Sequence, residues 1–356
     1  MSDIVLQRLF IDSGIETIDQ SVLDGGVLNI LLSKKSMVEG FVNGWKKCYQ
    51  NEDHHKIEHD NNILIDYESG MNILLLTPND NTVGKQIWNY VINSNDELVI
   101  LNHWILLSRY LTSNFDKLNK SSILWLQFTK LFVLLWGSSN GCLSFNKFEN
   151  LTINQLLQSD SITLERFFLI TIKDSIKQHP RNYYAANALR FLLSNRPGHV
   201  NDVYEWLISG EYDLSIWQAW ISGIKIKTHW WYQNQWKNYL KVNTVIDKVK
   251  IPTIDKVTDA LIYFNNMFDY VRAHPSLLTI KSPLFALTDL FKYLTEEGNN
   301  LRQYPDYLKS QIDSFESKYG PLDLINLTNI QSDLLTLERY ETAKIVKLQL
   351  DFLNLA

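Results

Sequence analysis

The sequence is poor in the residues that turn or break a chain. Its 356 residues include only 8 Pro and 14 Gly, about half the usual share of each. All-β sandwiches need many turn residues, and nucleotide-binding folds need glycine-rich phosphate loops, so both classes are disfavoured. Hydrophobic residues make up 45% of the chain, which is enough for a large core and excludes general disorder. We therefore expect a mostly helical globular protein.

Excess basic charge and long apolar runs are also missing. The net charge is -5 and the isoelectric point is near 5.9, whereas a nucleic-acid or anionic-membrane binder carries a basic footprint. The most apolar segment, Ile123–Trp136, contains Gln127, Thr129 and Lys130 and is too short and polar to cross a bilayer. Charged residues interrupt the first residues where a signal peptide would be apolar. These features predict a cytoplasmic protein with no nucleic-acid partner and no membrane span.

Cysteine is rare, and the one metal-like motif is poorly placed. Cys48 and Cys142 lie far apart and are expected to be reduced and structural. The sequence HKIEH at His55–His59 fits the pattern of inverted zinc proteases. Its flanks are polar, and Ile57 is its only apolar residue, so nothing would fix such a helix in a core. We predict an exposed polar loop over 47–62 and no metal bound by this chain.

Apolar residues recur at helical spacing along most of the chain. Leu164, Phe168, Ile172 and Ile176 are four residues apart and so share one helix face. Similar stripes occur at Ala185, Leu189, Leu192 and Leu193, and at Ile345, Leu348, Phe352 and Leu355. The segment Asn61–Pro78 could instead form a β-hairpin around Ser69 and Gly70. The dominant pattern predicts an all-α protein.

Three prolines punctuate this pattern in a similar way. Pro78, Pro180 and Pro275 each follow an apolar helical segment and precede one or two polar residues. The residue before proline is excluded from the α region, and a following Asn or Ser can cap the next helix. The two intervals are each close to three repeats of about 32 to 34 residues, the size of a two-helix unit. We predict one right-handed α/α superhelix, or solenoid, of helical hairpins over 1–356, with C-terminal helices over 295–356.

The clearest hairpin, at 165–194, resembles a known repeat. HPRNYYAANALRFLLS (His179–Ser194) resembles the protein prenyltransferase α-subunit repeat, whose core is Pro-x-Asn-Tyr, then a tryptophan, an arginine and a Leu-Leu tail. The matching residues are Pro180, Asn182, Tyr183, Arg190, Leu192 and Leu193. Ala186 stands at the tryptophan position, and the arginine comes one residue late. Degenerate copies place that position at Gly84, Trp125, Trp217 and about Leu284, so the repeat region covers about 64–294.

The resemblance is best with the orphan α-like branch of the family, the prenyltransferase α-subunit repeat-containing proteins. Such subunits are crescents of helical hairpins that wrap a β subunit, which holds the catalytic zinc, the isoprenoid and the acceptor cysteine. The resemblance implies the non-catalytic α-like subunit of a third type of protein geranylgeranyltransferase. The implied partners are a Rab-type β subunit, a protein substrate with a C-terminal cysteine, and geranylgeranyl diphosphate held by the β subunit. This chain would bind no cofactor and would be inactive alone.

The resemblance also assigns roles to three residues after Pro180. In the family, a lysine directly before the Asn-Tyr pair reaches the isoprenoid diphosphate, and the tyrosine lies beside it. Arg181 and Tyr183 occupy these positions here, and Asn182 is expected to cap the following helix. Arginine keeps the cation and offers two parallel donors to phosphate oxygens. No residue of this chain is expected to be catalytic.

A second hypothesis is a helical-repeat adaptor that binds proteins and has no role in lipid transfer. The aromatic stretch Trp217–Leu240 is compatible with both hypotheses, because we expect it to pack in the core and between repeats. Part of it could instead face a partner. Recovery of a prenyltransferase β subunit together with this chain would separate the two hypotheses.

Overall fold

Helices are the only regular structure in the residues that the computed structural model describes: 34–49, 66–94, 96–139, 164–210, 214–225, 256–274, 281–322 and 334–354. The helices are α1 (Lys34–Tyr49), α2 (Tyr67–Leu74), α3 (Asn81–Asn93), α4 (Glu97–Leu111), α5 (Asp116–Asn119), α6 (Ser122–Ser139), α7 (Leu164–Gln178), α8 (Tyr183–Asn195), α9 (Val200–Ile208), α10 (Leu214–Ile224), α11 (Lys256–Ala273), α12 (Lys281–Glu296), α13 (Gln303–Tyr319) and α14 (Leu334–Asn354). A 3-10 turn, Pro197–His199, precedes α9. The all-α prediction is confirmed for these residues. The β-hairpin alternative is wrong, because α2 occupies its centre.

The helices end where the prolines predict. α2 ends at Leu74, α7 at Gln178 and α11 at Ala273, each shortly before an X-Pro pair. The expected cap after Pro78 is different, however. Asp80, not Asn79, caps α3, since its Oδ1 accepts hydrogen bonds from the Thr82 and Val83 amides at 2.9 and 3.0 Å. Asn79 instead accepts a bond from the Ser122 amide at the start of α6.

The chain divides into two compact units. Unit 1 comprises Met1–Leu192 and Gln233–Lys250, and unit 2 comprises Leu193–Tyr232 and Ile251–Ala356. The boundary falls inside α8, between Leu192 and Leu193. A single superhelical domain over 1–356 stays a prediction.

Unit 1 is built around buried aromatic side chains. α2 packs against α1 and α3, α4 packs against α6 and α7, and α6 also packs against α3 and α7. The Trp104 indole donates a hydrogen bond to the Phe128 carbonyl at 3.0 Å. The rings of Phe128 and Phe168 stack at 5.1 Å, and Phe168 meets Phe191 of α8 edge-on at 6.5 Å. Burial of each of these rings contributes about 1.5–3 kcal/mol. Their contacts bring α4, α6, α7 and α8 into one core.

The predicted stripes are buried in α7 and α8 but not throughout α14. All four predicted residues of α7 are buried, as are Ala185, Leu189, Leu192 and Leu193 of α8. In α14, Ile345 is buried but Leu348 is 51% exposed. Besides Ile345, the buried residues there are Tyr340, Ala343, Val346 and Gln349. This face is the buried one because α14 packs against both α12 and α13. The side chain of Phe352 and all of Leu355 lie outside the described residues.

In unit 2, α10 packs against α9, α11 and α12, while α14 packs against α12 and α13. Trp217 and Trp220 of α10 are buried, which confirms the predicted core use of these two aromatic residues. The Trp220 indole donates to the Val200 carbonyl at 3.1 Å, and its ring stacks on Tyr204 at 5.3 Å. The remainder of the aromatic stretch, after Lys225, lies outside the described residues.

The positions aligned on the repeat tryptophan share one structural property. All of them are buried, and each lies in the second helix of a hairpin, namely α3, α6, α8, α10 or α12. They are Gly84, Trp125, Ala186, Trp217 and Leu284. At Gly84 a side chain would clash, because an added Cβ would lie 2.9 Å from Ile123 Cγ2 of α6. The residue at this position varies in size, and the aligned position is always on a packed helix face.

Candidate functional site

The turn between α7 and α8 brings together the three residues that the sequence singles out. Pro180 and Arg181 form the turn, and Asn182 directly precedes α8. Arg181 has φ 63°, and it is the only non-glycine residue with positive φ in the described ranges. An L-residue pays about 1 kcal/mol in this left-handed conformation, in which glycine is unstrained. The Arg181 side chain is exposed, so no burial of the guanidinium offsets that cost.

Asn182 is fully buried and joins this turn to α8. Its Oδ1 accepts hydrogen bonds from the amides of Tyr184 and Ala185, both at 3.1 Å. These bonds satisfy two of the amides that every helix N-terminus leaves without a partner. The backbone of Tyr183, between the cap and these amides, is therefore fixed at the start of α8.

The Asn182 amide group also ties the turn to the segment around the end of α5. Its Nδ2 donates to the backbone oxygen and Oδ1 of Asn119, at 3.0 and 2.6 Å, and lies 3.1 Å from Ser175 Oγ. Asn119 Nδ2 in turn donates to the carbonyls of Leu111 and Ser175. A buried amide pair thus connects α4, α5, α7 and α8 behind the exposed Arg181.

The turn at Pro78 is tied to the same segment. Ser121 Oγ is 2.8 Å from the Pro78 carbonyl and 3.0 Å from Asn79 Oδ1. Asn79 Oδ1 also accepts the bond from the Ser122 amide at 3.1 Å. The starts of α3, α6 and α8 are consequently linked side by side through Asn79, Ser121, Asn119 and Asn182. This hydrogen-bonded row of turns holds the Pro180 turn in place.

One ion-pair cluster borders the turn. Asp116 Oδ1 lies 2.7 Å from Lys120 Nζ and 3.5 Å from His179 Nδ1. The other ring nitrogen of His179, Nε2, lies 3.2 Å from the Ser113 carbonyl oxygen. His179 directly precedes Pro180, so its ring is held between two acceptors at the end of α7. Asp116 is thus engaged by Lys120 and His179.

The two tyrosines after Asn182 face solvent. Tyr183 is 67% exposed and Tyr184 is 38% exposed. Arg190, the displaced arginine of the repeat, lies further along α8 and donates from Nη1 to Asn187 Oδ1 at 2.8 Å. Arg181 and Tyr183 are thus both exposed, on either side of Asn182, at a turn whose backbone is held beside a helix N-terminus. Such a set can bind an anionic oxygen, such as one of a phosphate group.

A second polar group is buried away from this corner. His103 of α4 is buried, and its Nδ1 shares a 2.8 Å hydrogen bond with the Tyr67 hydroxyl of α2. Burial lowers the pKa of His103 from its ordinary 6.5 to about 4, and a hydrogen-bonding contribution from Gln127 only partly opposes it. Burial also raises the pKa of Tyr67 above its ordinary range. These two groups are neutral and structural near pH 7.

Sequence reasoning found the three consecutive residues of the turn and missed the residues that support them. Arg181, Asn182 and Tyr183 lie together because they are consecutive. Asn119 and Ser121 were missed, because nothing in the local sequence shows that a segment about 60 residues earlier packs behind the Pro180 turn.

No group of three His, Cys, Asp or Glu residues that could hold a metal ion occurs within the described ranges. The HKIEH motif, His55–His59, lies outside them, as do the side chains of both cysteines. None of the described helices is long and apolar enough to span a membrane. Comparisons of the chain with protein-family models, with curated proteins and with solved structures found no match in any of the three.

Proposed function

We propose that this chain is the non-catalytic α-like subunit of a heterodimeric protein geranylgeranyltransferase. It scaffolds a zinc-bearing β subunit of the Rab type and helps to choose the protein whose C-terminal cysteine is prenylated. The heterodimer acts in the cytoplasm, and geranylgeranyl diphosphate is bound by the β subunit. The proposal rests on the repeat motif at 165–194 and on the geometry of the Pro180 turn.

The observation that carries the proposal is the conformation of Arg181. The left-handed backbone of Arg181 lowers the stability of the fold relative to glycine at the same position. Residues strained in this way cluster at functional sites. The turn itself is rigid, since Asn182 is buried and hydrogen-bonded on both sides. A cation and a tyrosine, exposed at a rigid turn, are what the family resemblance implies for contact with a diphosphate.

The order of helix packing supports a stack of hairpins. In unit 1, the second helices α3 and α6 contact each other, and so do the first helices α4 and α7. In unit 2, the second helices α10, α12 and α14 pack in sequence. Contacts of first helix with first and second with second are typical of α/α solenoids. We propose that these hairpins form the right-handed superhelix of the family.

The proposed role of Arg181 is electrostatic. Loss of the diphosphate leaves negative charge on the leaving group, and a fixed cation in a partly dehydrated site stabilises that charge. The zinc of the β subunit would activate the acceptor thiol. The Arg181 guanidinium would contribute two donors to the diphosphate from the mouth of the lipid pocket, and Tyr183 would lie beside it.

Transfer by the reconstituted complex tests this role. Arg181→Gly removes the cation but keeps the backbone conformation, and it should slow transfer about ten- to a hundredfold, the equivalent of about 1.5–3 kcal/mol. Arg181→Lys should retain most activity. Lys177→Ala, which removes an exposed cation from the preceding helix, is the matched control and should leave the rate unchanged.

Each alternative has its own outcome in this experiment. Transfer at the wild-type rate by Arg181→Gly would make the residue structural. Loss of β-subunit binding by Arg181→Gly would assign it to assembly. If the wild-type chain binds no prenyltransferase β subunit at all, the adaptor hypothesis replaces the proposal.

A further inference from the structure

The helix α1 packs against α2 through its small residues. A Cβ on Gly44 would lie 2.7 Å from the Ser69 carbonyl oxygen of α2, and one on Gly40 would meet the Asn72 side chain at 3.3 Å. The residues of α1 that lie half a turn from these glycines are therefore on the side of the helix that is remote from α2.

That remote side carries a row of large apolar side chains. Val38, Val42 and Trp45 are spaced by four and three residues, so they share one face of α1. They are 41%, 39% and 42% exposed, and the Trp45 ring stacks on Phe41 at 5.8 Å. Single exposed apolar residues are ordinary, whereas an aligned group of them indicates a surface for binding. These three residues are called the apolar row below.

Lysines border the apolar row. Lys35 and Lys46 lie along one flank of it, and both are exposed. Lys35 Nζ is 3.9 Å from Oε1 of Glu39. α1 has four lysines and one glutamate, whereas the whole chain has a net charge of -5. The polypeptide that best complements the row therefore has apolar side chains with carboxylates next to them.

The chain itself provides a segment with this pattern. The segment that directly precedes α1 lies outside the described residues, but its sequence is informative. Ile15, Ile18 and Val22 recur at helical spacing, and Glu16 and Asp19 each follow one of these apolar residues. The sequence therefore predicts a helix with an acidic stripe beside an apolar one, which complements α1 in both charge and hydrophobicity.

The ends of this predicted helix are marked as well. Ser13 with Glu16 three residues later fits the capping box, in which the two side chains satisfy free amides at the start of a helix. Gly25 and Gly26 form a pair that typically ends a helix. The predicted helix, 14–24, is called the N-terminal helix below.

The connection between the N-terminal helix and α1 is long enough for contact between them. It comprises the nine residues 25–33, which span up to about 30 Å when extended. The 16 residues of α1 are about 24 Å long, so the N-terminal helix can reach any part of the apolar row. A tether of this length gives an effective concentration in the millimolar range, which favours this segment over a free partner of the same chemistry.

We propose that the N-terminal helix packs on the apolar row of α1 in the same chain and covers it. Its apolar stripe contacts the row, while Glu16 and Asp19 lie near Lys35 and Lys46. α1 is then held between α2 and the N-terminal helix. The proposal uses only α1 and the sequence before it, so it stands whether or not the chain takes part in lipid transfer.

Disulfide trapping in the full chain tests the proposal. In a Cys48→Ser/Cys142→Ser background, Ile18→Cys is combined with Val42→Cys at the centre of the apolar row. We expect mild oxidation to link these two cysteines within one chain about tenfold faster than Ile18→Cys with Asn43→Cys, the matched control. Asn43 is also exposed on α1, but it points about 100° away from Val42 around the helix axis.

Charge reversal in the trapping variant tests the acidic contacts. Lys35→Glu/Lys46→Glu should slow disulfide formation about threefold or more, because like charges then face each other. Adding Glu16→Lys/Asp19→Lys restores opposite charges and should restore the rate. A reversal that leaves the rate unchanged would remove the acidic stripe from the proposal and overturn it in the form given.

The remaining outcomes are distinct. Equal rates at Val42 and Asn43 would overturn the proposal, and so would a disulfide that forms only between two chains, which would assign the row to a second copy. Binding of the wild-type chain to phosphatidylserine vesicles, lost in Trp45→Asp, would assign the row to a lipid surface instead. Hydrogen exchange of the wild-type chain is the second measurement. Residues 14–24 should exchange more slowly than an unfolded peptide, and exchange at the unfolded rate would contradict the proposal.

Discussion

Arg181 combines an exposed cation with a backbone conformation that favours glycine. Because its φ is 63°, we expect Arg181→Gly to raise the free energy of unfolding by about 0.5–1 kcal/mol, while Arg181→Ala gives no such gain. Urea denaturation of the three proteins measures this. A loss of stability in the glycine variant would mean that the arginine side chain stabilises the turn. The proposed function requires that Arg181→Gly be more stable than the wild type and yet slower in lipid transfer.

Asn182 is a second residue whose role can be separated from that of an ordinary cap. Asn182→Ala removes a cap and also leaves buried Asn119 Oδ1 without its 2.6 Å donor, so it should cost about 2–4 kcal/mol. Asp80, like Asn182, accepts hydrogen bonds from two helix amides. Asp80→Ala removes this cap alone and should cost about 1 kcal/mol. Chemical denaturation compares the two. Equal losses would show that the amide pair with Asn119 contributes nothing beyond the cap.

His103 makes stability depend on pH. The folded protein keeps this ring neutral down to about pH 4, whereas the unfolded chain binds a proton below its ordinary pKa of 6.5. The unfolded state therefore holds more protons between these values, so stability is highest above pH 6.5 and falls as the pH drops towards 4. The expected loss is on the order of 3 kcal/mol.

The matched variant for this pH dependence is His103→Gln, which cannot titrate. Its free energy of unfolding should vary less between pH 6.5 and 4 than that of the wild type, whatever its absolute stability. Equal slopes in the two proteins would show that His103 is protonated in the folded state or that another group dominates.

At the scale of elements, α1 and α2 approach closely at two glycines of α1. A Cβ on Gly44 would lie 2.7 Å from the Ser69 carbonyl oxygen, whereas one on Gly40 would meet the Asn72 side chain at 3.3 Å. Gly44→Ala should destabilise the protein by about 1–3 kcal/mol, because the backbone of α2 must move. Gly40→Ala should be near neutral, since a flexible side chain can move and alanine favours the helix.

Thermal unfolding of the two variants checks this prediction. Helix propensity alone predicts that both substitutions stabilise α1 by about 1 kcal/mol. A raised melting temperature for Gly44→Ala would therefore show that α1 is not held as closely to α2 as the structure has it.

The elements could be predicted from the sequence wherever local patterns decide them. The stripe of α7 and the helix ends before Pro78 and Pro180 depend on local periodicity and on proline sterics, which the sequence states directly. The prediction that Leu348 is buried was wrong, because the face of α14 that packs against α12 and α13 contains Ala343 and Val346 instead. The expectation that Asn79 caps α3 was wrong. Asn79 instead accepts a hydrogen bond from the amide of Ser122, which is distant in sequence.

At the scale of the whole molecule, the sequence predicts the helical class, and its exposed site residues were found by motif. The supporting residues Asn119 and Ser121 depend on which turns are adjacent, which only the folded chain defines. The two compact units share α8, and the Pro180 turn lies in unit 1. We propose that this turn takes part in an assembly of the chain with a prenyltransferase β subunit. This claim must be tested on the assembly itself.

Light scattering of the purified full chain mixed with a Rab-type geranylgeranyltransferase β subunit tests that claim most directly. We expect a single species whose mass is the 41.6 kDa of this chain plus the mass of one β subunit, stable through size-exclusion chromatography. Two separate species, each at its own mass, would contradict the claim that this chain is a prenyltransferase α-like subunit.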